Sequence, residues 1–504
     1  MADVSQTKEM PKEMPKGNSE KSKKTDMADM AFIESMNDDL LHNILLRLPA
    51  QSFGSASCVS RSWNCVCNRI LSRPKMISAF SRNPDKLRAG EEVLDKVLSE
   101  PIRPDFVIAN ISYGNVEETL RQITKRVGSR VPVIVSLVAG ILGKEARNEK
   151  LVEINPYAVY VSPVPNFAIL LTIGYLPGFK VDVIPAIQAI GESEATVGDK
   201  FVMDIRNFVS VVSDHTAPAC LILFGEDTHA TEPIIQKLDY DMPAETIIVG
   251  ELKGQGDLVH KRANESRCVQ LQRDESRVLA GLVFARDRHR PIPFLNEAEA
   301  GRIQFHAAIS GGMSPVDLRY KAANVILTLY RWPATLLNAK RRGEAEVLNG
   351  EQILENIEET LVGNPSWENE PADEQYLTVD GAGIRTGDCF QVYFPDLKVA
   401  EASLAAVSSQ LRNLESKPNK TEVVGGFVFA GSGRGDSFFG RPNANISPFL
   451  ENFPELPFGG ISCNGQIGRS FFVEEGEENK ESSIRRCFHS YSSVYFIVSY
   501  TSQC

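Results

Sequence analysis

The stretch that decides how this chain is read runs Met36-Asn37-Asp38-Asp39-Leu40-Leu41-His42-Asn43-Ile44-Leu45-Leu46-Arg47-Leu48-Pro49. Leu40, Leu41, Ile44, Leu45 and Leu48 fall at i, i+1, i+4, i+5 and i+8, which places them on one stripe of a helix. Asn37 suits the N-cap, and Asp38 and Asp39 sit at the positive end of the helix dipole. Met36 can staple onto Leu41, and Pro49 stops the helix after Leu48. A second short helix is expected through Phe53 and Ala56. A third starts near Ser60 and puts Trp63, Val66, Cys67 and Ile70 on one face. Helices this short bury too little surface to be stable alone, so the unit at 31–80 is expected to complete its core on a partner.

Upstream, residues 1–30 read as a disordered tail. Lys-Glu-Met-Pro occurs twice in tandem, at Lys8 to Pro11 and Lys12 to Pro15, and the rest is mostly Lys, Ser, Glu and Asp. Lys21, Lys23 and Lys24 fit either a nuclear import signal or a solvated tail. Downstream, Asp85 to Leu98 has the pattern of an amphipathic helix. Apolar runs then alternate with helical segments: strands are expected at Phe106 to Ile111, Val131 to Val138, Ala168 to Ile173, Ala219 to Phe224, Thr246 to Val249 and Leu279 to Phe284. Val116 to Val127 reads as a helix. Cys389 to Phe394, Gly425 to Phe429 and Ser493 to Tyr500 resume the strand pattern after a polar, helix-prone stretch at Gly343 to Leu361 and a loop at Asn364 to Glu374. Glu474 to Glu481 reads as an exposed acidic loop. A faint echo links Leu221-Ile222-Leu223-Phe224-Gly225, followed by Ile247-Ile248-Val249-Gly250, with Gly426-Phe427-Val428-Phe429, followed by Gly459-Gly460-Ile461. The expectation is an α+β chain: a short three-helix unit, then two tandem mixed α/β domains at 85–295 and 296–504. A leucine-rich solenoid is the rival, but no sustained register appears at the ~20–29-residue period it needs.

The totals agree with a soluble globular chain: 504 residues, 42% hydrophobic and 24% charged, enough for about three or four domains. A net charge of -11 argues against a global grip on nucleic acid. Nine thinly spread cysteines and no apparent signal peptide suggest free thiols in a reducing compartment. Cys58, Cys65 and Cys67 lack the second pair a zinc site would need, so no metal is expected. Tyr157 to Phe179 carries no charged residue, but Pro163, Pro165, Gly174, Pro177 and Gly178 suit two buried strands better than a membrane helix. His215 beside Asp214, His229 near Asp227, and Cys463 are the candidate reactive groups. No hydrolase, metalloprotease or kinase motif accompanies them, and no catalytic residue or cofactor is expected.

Asp39-Leu40-Leu41-x-x-Ile44-Leu45-x-x-Leu48-Pro49, followed by Val59-Ser60-Arg61-Ser62-Trp63, resembles an F-box. Met36-Asn37 stands where that family has Leu-Pro. The resemblance implies docking on the Skp adaptor of a cullin-based ubiquitin ligase through Leu40, Leu41, Ile44, Leu48, Pro49 and Trp63, with cullin beyond the adaptor. The remainder resembles the F-box and intracellular signal transduction (FIST) module through Gly431-Ser432-Gly433-Arg434-Gly435 and Gly465-Gln466-Ile467-Gly468. Gln466 stands where that family has Glu, and Gly431 or Ser432 where it has Cys. The resemblance implies an unidentified protein substrate or a small ligand at a loop of Gly433, Arg434, Gly435, Gly465 and Gln466. Two physical readings of that loop stand side by side: backbone N–H groups and Arg434 gripping an anion, or glycines allowing a tight turn with positive φ. The implied location is cytoplasmic, nuclear or both.

Overall fold

A computed structural model describes residues 37–154, 167–226, 231–253, 257–265, 275–289, 302–328, 334–341, 344–360, 375–380, 384–415, 421–469 and 487–501. The N-terminal unit is three helices: α1 (Asp38–Leu45), α2 (Ala50–Ala56) and α3 (Arg61–Ile70). The Asn37 side chain accepts from the Asp39 N–H at 3.1 Å, and the Ser60 hydroxyl accepts from the Trp63 N–H at 3.2 Å. Each cap satisfies a donor that the first helical turn leaves over. Pro49 stands immediately before α2 in extended backbone. The single apolar stripe expected on α1 divides in two. Leu41 and Leu45 are buried, whereas Leu40 is 54% and Ile44 41% exposed. Neighbouring positions on a helix lie about 100° apart, so a core on one side takes one pair and leaves the other in water.

After these helices the chain forms three units of one pattern. The first is β1 (Lys75–Ser81), α4 (Lys86–Val97), β2 (Phe106–Ile111), α5 (Val116–Val127), β3 (Val133–Leu137), β4 (Gly140–Lys144), β5 (Leu151–Ile154) and β6 (Ile169–Tyr175). The second is β7 (Phe179–Ala189), α6 (Glu194–Val212), β8 (Cys220–Glu226), α7 (Thr231–Asp241), β9 (Ile247–Lys253), β10 (Leu258–Lys261) and β11 (Glu275–Arg286). The third opens with β12 (Arg302–Ser310). It is interrupted by an insertion of β13 (Met313–Thr328), β14 (Ala334–Arg341), α8 (Gly350–Thr360), β15 (Leu377–Asp380) and β16 (Cys389–Pro395). It resumes with α9 (Leu397–Glu415), β17 (Thr421–Gly431), α10 (Asp436–Phe439), α11 (Ser447–Asn452), β18 (Phe458–Cys463), β19 (Gly465–Gly468), β20 (Phe488–His489) and β21 (Ser493–Thr501). In each unit two strands pair in parallel across a helical crossover: β2 with β3, β8 with β9 and β17 with β18. The two stretches compared in the sequence take this form, and 106–144 is a third copy that the residue pattern alone did not disclose.

The strand after each parallel pair leaves its own sheet for the next. β4 pairs with β18, β19 with β9, and β10 with β3, which closes a ring of exchanged strands. The resulting sheets run β1-β6-β2-β3-β10, β20-β19-β9-β8-β11-β7 and β12-β21-β17-β18-β4-β5, and the insertion forms β15-β14-β13-β16. The crossings are tight. A Cβ on Gly140 would sit 2.7 Å from the Ile154 carbonyl oxygen, and Gly250, at φ 158°, has the Leu223 carbonyl oxygen 2.1 Å from that position.

The inner faces of the three large sheets share one core. Phe106 meets Phe284 at 5.2 Å between ring centres, Phe179 meets Phe305 at 5.2 Å, and Phe224 meets Phe429 at 6.3 Å. Such pairs contribute about 0.5–1.5 kcal/mol each beyond area burial. Helices cover the outer faces: α4 and α5 the first sheet, α6 and α7 the second, α9 and α11 the third, α8 the insertion. Leu41, Leu45, Phe53, Val66 and Cys67 join Val93, Leu94 and Val97 of α4 in a single apolar cluster. The α1–α3 unit therefore takes part of its missing core from the body of the same chain.

Of the uncharged stretch 157–179, residues 157–166 lie outside the described residues. The rest forms β6 and a turn with Gly178 at φ 83°. No described helix is long and apolar enough to cross a membrane. No solenoid of stacked repeats forms among the described residues.

Candidate functional site

The exposed half of α1–α3 is the site that local sequence positions most directly. Leu40 and Ile44, one helical turn apart, stand out from α1 beside Leu46, which is 43% exposed. Val59, between α2 and α3, is 61% exposed. Pro49 is exposed, and Leu48 and Trp63 are half-buried at the margin of the core. Leu41, expected on this face, lies beneath it at 2% exposure. Arg69 of α3 reaches Asp38 of α1 at 3.7 Å, and its side chain is half in solvent, so this pair adds little stability.

The face is joined to the body mainly by the apolar packing beneath it. Behind it the Ala50 N–H donates to the Leu98 carbonyl at 2.9 Å. Lys75 pairs with Glu100 at 2.6 Å, and Arg73 with Glu422 of β17 at 3.7 Å. Apolar side chains on a fixed scaffold carry no chemistry of their own. They offer area that a partner can desolvate, worth about 1.5–3 kcal/mol for each side chain fully covered.

The glycine-rich loop is built differently from either reading of its sequence. Gly431 has φ -63° and Gly435 φ -78°, so neither supplies a left-handed turn. Gly433 is needed for space, because a Cβ there would meet the Tyr491 ring at 2.6 Å. Arg434 is fully buried. Its Nη1 donates to the Ser310 carbonyl at 2.7 Å and the Tyr491 carbonyl at 3.1 Å, and its Nη2 to the Ser310 hydroxyl at 3.0 Å. The Phe439 ring lies 5.3 Å from the guanidinium. Burial pulls the Arg434 pKa down to about 10. The two Nη groups that an anion would need are thus taken by the chain's own acceptors, and the buried Nε has no partner among the described residues. Gly465 packs under the Phe488 ring, and Gln466 is buried, its Nε2 donating to the Cys463 carbonyl at 2.9 Å and its Oε1 accepting from the Ser492 N–H at 3.1 Å.

The candidate reactive groups are not brought together. Asp214 faces Arg288 at 3.6 Å, and His215 donates its backbone N–H to the Ser213 hydroxyl. Asp227 and His229 lie outside the described residues. Cys463 is buried against the Ala430 carbonyl, and burial, helped by the Glu251 charge, holds its thiol well above the ordinary range. A thiol kept protonated is a poor nucleophile. Among the described residues no three His, Cys, Asp or Glu side chains gather as a metal would require.

Sequence reasoning missed a line of buried polar groups at the carboxyl ends of the parallel strands. Asn110 Nδ2 donates to Ser136 Oγ at 2.7 Å, and Ser136 Oγ donates to Glu251 at 3.1 Å, all three fully buried. The available signal was Glu251 itself, a carboxylate inside the strand Ile247–Lys253.

Two comparisons bear on the exposed face. The F-box domain model matches residues 33–74, which span α1–α3. An F-box/LRR-repeat protein of Arabidopsis thaliana is 66% identical over 542 aligned residues, covering 100% of both chains. That protein's name carries leucine-rich repeats, whereas the described residues of the present chain gather into four sheets.

Proposed function

Since the chain belongs to the F-box proteins, with the Arabidopsis F-box/LRR-repeat protein among its relatives, we propose that it is the substrate-recognition subunit of a cullin-based ubiquitin ligase. The Skp adaptor docks on the apolar face around Leu40, Ile44 and Pro49, and the α/β body receives the protein to be degraded. The observation that carries this reading is an F-box whose outer apolar side is open while its inner side is fixed to the body. A subunit of this kind acts by raising effective concentration and needs no catalytic group or cofactor. Purified full-length protein is expected to co-elute with a Skp adaptor, and Leu40→Asp with Ile44→Asp is expected to abolish co-elution. Unchanged co-elution of that variant rejects the docking face. The reading places the protein in the cytoplasm, the nucleus or both, where such ligases work.

A second reading is a small-ligand sensor of the FIST kind. The polar line Asn110–Ser136–Glu251, buried where ligands settle in open α/β sheets, favours it. Amino acids and other metabolites would then raise the melting temperature of the full chain, and the shift would survive the Leu40→Asp, Ile44→Asp changes.

A further inference from the structure

The insertion in the third unit presents a charged face that the α/β body does not use. β13 and β14 pair so that Lys321 lies directly across from Lys340, and Tyr320 across from Arg341. Tyr320 and Arg341 point toward α8: Tyr320 is buried in the core with Ile353 and Ile357, and Arg341 bonds Asn356. Strand alternation sends Lys321, Lys340 and Arg319 to the opposite face. Arg319 and Lys321 are exposed and Lys340 half-buried. Among the described residues none of the three forms an ion pair. Asp388, which adjoins the Cys389 paired with Lys321, accepts the Arg385 N–H at 2.8 Å and forms no ion pair with the three among the described residues. Like charges directly across a ladder repel. An anion seated between them relieves that repulsion.

The same sheet ends in an unprotected edge. β16 is its last strand, carrying Phe390, Val392 and Phe394 with Cys389, Gln391 and Tyr393 alternating between them. Two other outer strands, β7 and β1, are blunted. On β7, Asp182 accepts from the Val183 N–H at 2.8 Å and Glu192 from the Ala189 N–H at 3.2 Å, while Pro185 has no N–H to offer. On β1, the Phe80 carbonyl accepts from Ala146 at 2.8 Å. Among the described residues β16 is blunted only at its last residue, Pro395, which has no N–H to offer; the side-chain bond it makes, Gln391 Nε2 to the Val316 carbonyl at 2.7 Å, turns back to β13. A strand added outside β16 would lie about 10 Å from β13, two strand spacings away. Arg319 and Lys321 on β13 would reach glutamates of such a strand across that gap, and Lys340, one strand further on β14, adds to the local positive charge.

We propose that the β16 edge and the Arg319–Lys321–Lys340 face form a docking site for an extended, Asp/Glu-rich segment of a partner protein. The segment adds in β conformation to β16, with carboxylates on the basic side. The proposal rests on the substrate-receptor reading and supplies the chemical class of what is received. A local patch of this sign on a chain of net charge -11 selects an acidic segment at short range.

The test is fluorescence anisotropy of the full chain with a labelled twelve-residue peptide in which Glu and Thr alternate. Binding is expected to weaken about tenfold or more in Lys321→Glu with Lys340→Glu, and as salt rises from 50 to 300 mM. The same peptide N-methylated at alternate residues loses the backbone donors a ladder needs and is expected not to bind. Equal affinity of the N-methylated peptide, of the double variant, or of a Lys-Thr peptide overturns the proposal, as does tighter binding of a single-stranded oligonucleotide. If the double variant loses its cooperative unfolding, the N-methylated peptide on the native chain still decides. Adaptor co-elution is measured on the same preparation. Its retention without peptide binding rejects this site alone, whereas loss of co-elution from the native chain rejects the ligase reading.

Discussion

At the scale of single residues, burial decides which charges bind partners and which hold the fold. Arg434 has the residue type and the glycine-rich setting of an anion site, yet its guanidinium satisfies two carbonyls and a hydroxyl inside the protein. Arg434→Met strands those acceptors, at about 1–3 kcal/mol for each group left unsatisfied. Chemical denaturation is expected to show a loss of roughly 3 kcal/mol; a loss below about 1 kcal/mol would return the residue to the ligand-binding candidates. Glu153 on β5 shows a pH effect of definite sign. Desolvation, then the charge of Asp436, raises its pKa above the usual glutamate value, although the Asn443 N–H donates to it at 3.1 Å. A raised carboxylate pKa means that the native state binds the proton more tightly than the unfolded chain. Its stabilising contribution is therefore complete in acid and is lost as pH climbs through the folded-state pKa. Glu153→Gln removes that loss. The variant's melting temperature is expected to exceed the native one by about 1–2 °C near neutral pH, with the gap closing toward pH 4. A gap that widens in acid contradicts the assignment.

At the scale of elements, α1 shows how far a periodic pattern carries and where it stops. The helix and its Asn37 cap are local facts, legible from side-chain chemistry alone, but its end is not: it stops at Leu45, ahead of the end expected at Leu48. The division of its apolar residues into buried Leu41 and exposed Leu40 is not local, because it depends on α3 and α4 filling one side. Substitutions on the two faces accordingly separate folding from docking. Leu40→Asp with Ile44→Asp is expected to change stability by no more than about 0.5 kcal/mol while removing adaptor binding. Leu41→Asp, which buries a charge, is expected to cost 3 kcal/mol or more and to abolish binding through unfolding. Circular dichroism melts beside the co-elution assay distinguish the two outcomes. Strands with strong runs of Val, Ile, Leu and Phe, such as β2 and β21, were equally legible. The insertion strands β13 and β14 were not, because Lys, Arg, Asn and Ala dilute their alternation and only pairing with each other and with β15 and β16 makes them a sheet.

At the scale of the whole molecule, the exchanged strands couple the units. β4 completes the third sheet, β19 the second and β10 the first. No unit can be withdrawn without opening an edge in a neighbour. Calorimetry of the full chain is expected to show one dominant transition for residues 75–501. A chain ending at 289 lacks β18 and β19, the partners of β4 and β9, and is expected to show no cooperative transition and to associate through its exposed edges. Two resolved peaks in the full chain would indicate that the units fold separately.

What the residues alone determined is the set of local elements: capped helices, apolar strands, and the Asp39–Pro49 and Val59–Trp63 blocks that mark the F-box. These follow from the spacing of side chains a few positions apart, where 3.6- and 2-residue periods act. Only the tertiary structure decided that three units share one core, that Arg434 serves the fold, that Leu41 faces inward and that β16 stands open. Each depends on groups far apart in the chain meeting in space, and strand pairing across sheets leaves no periodic trace in the order of the residues.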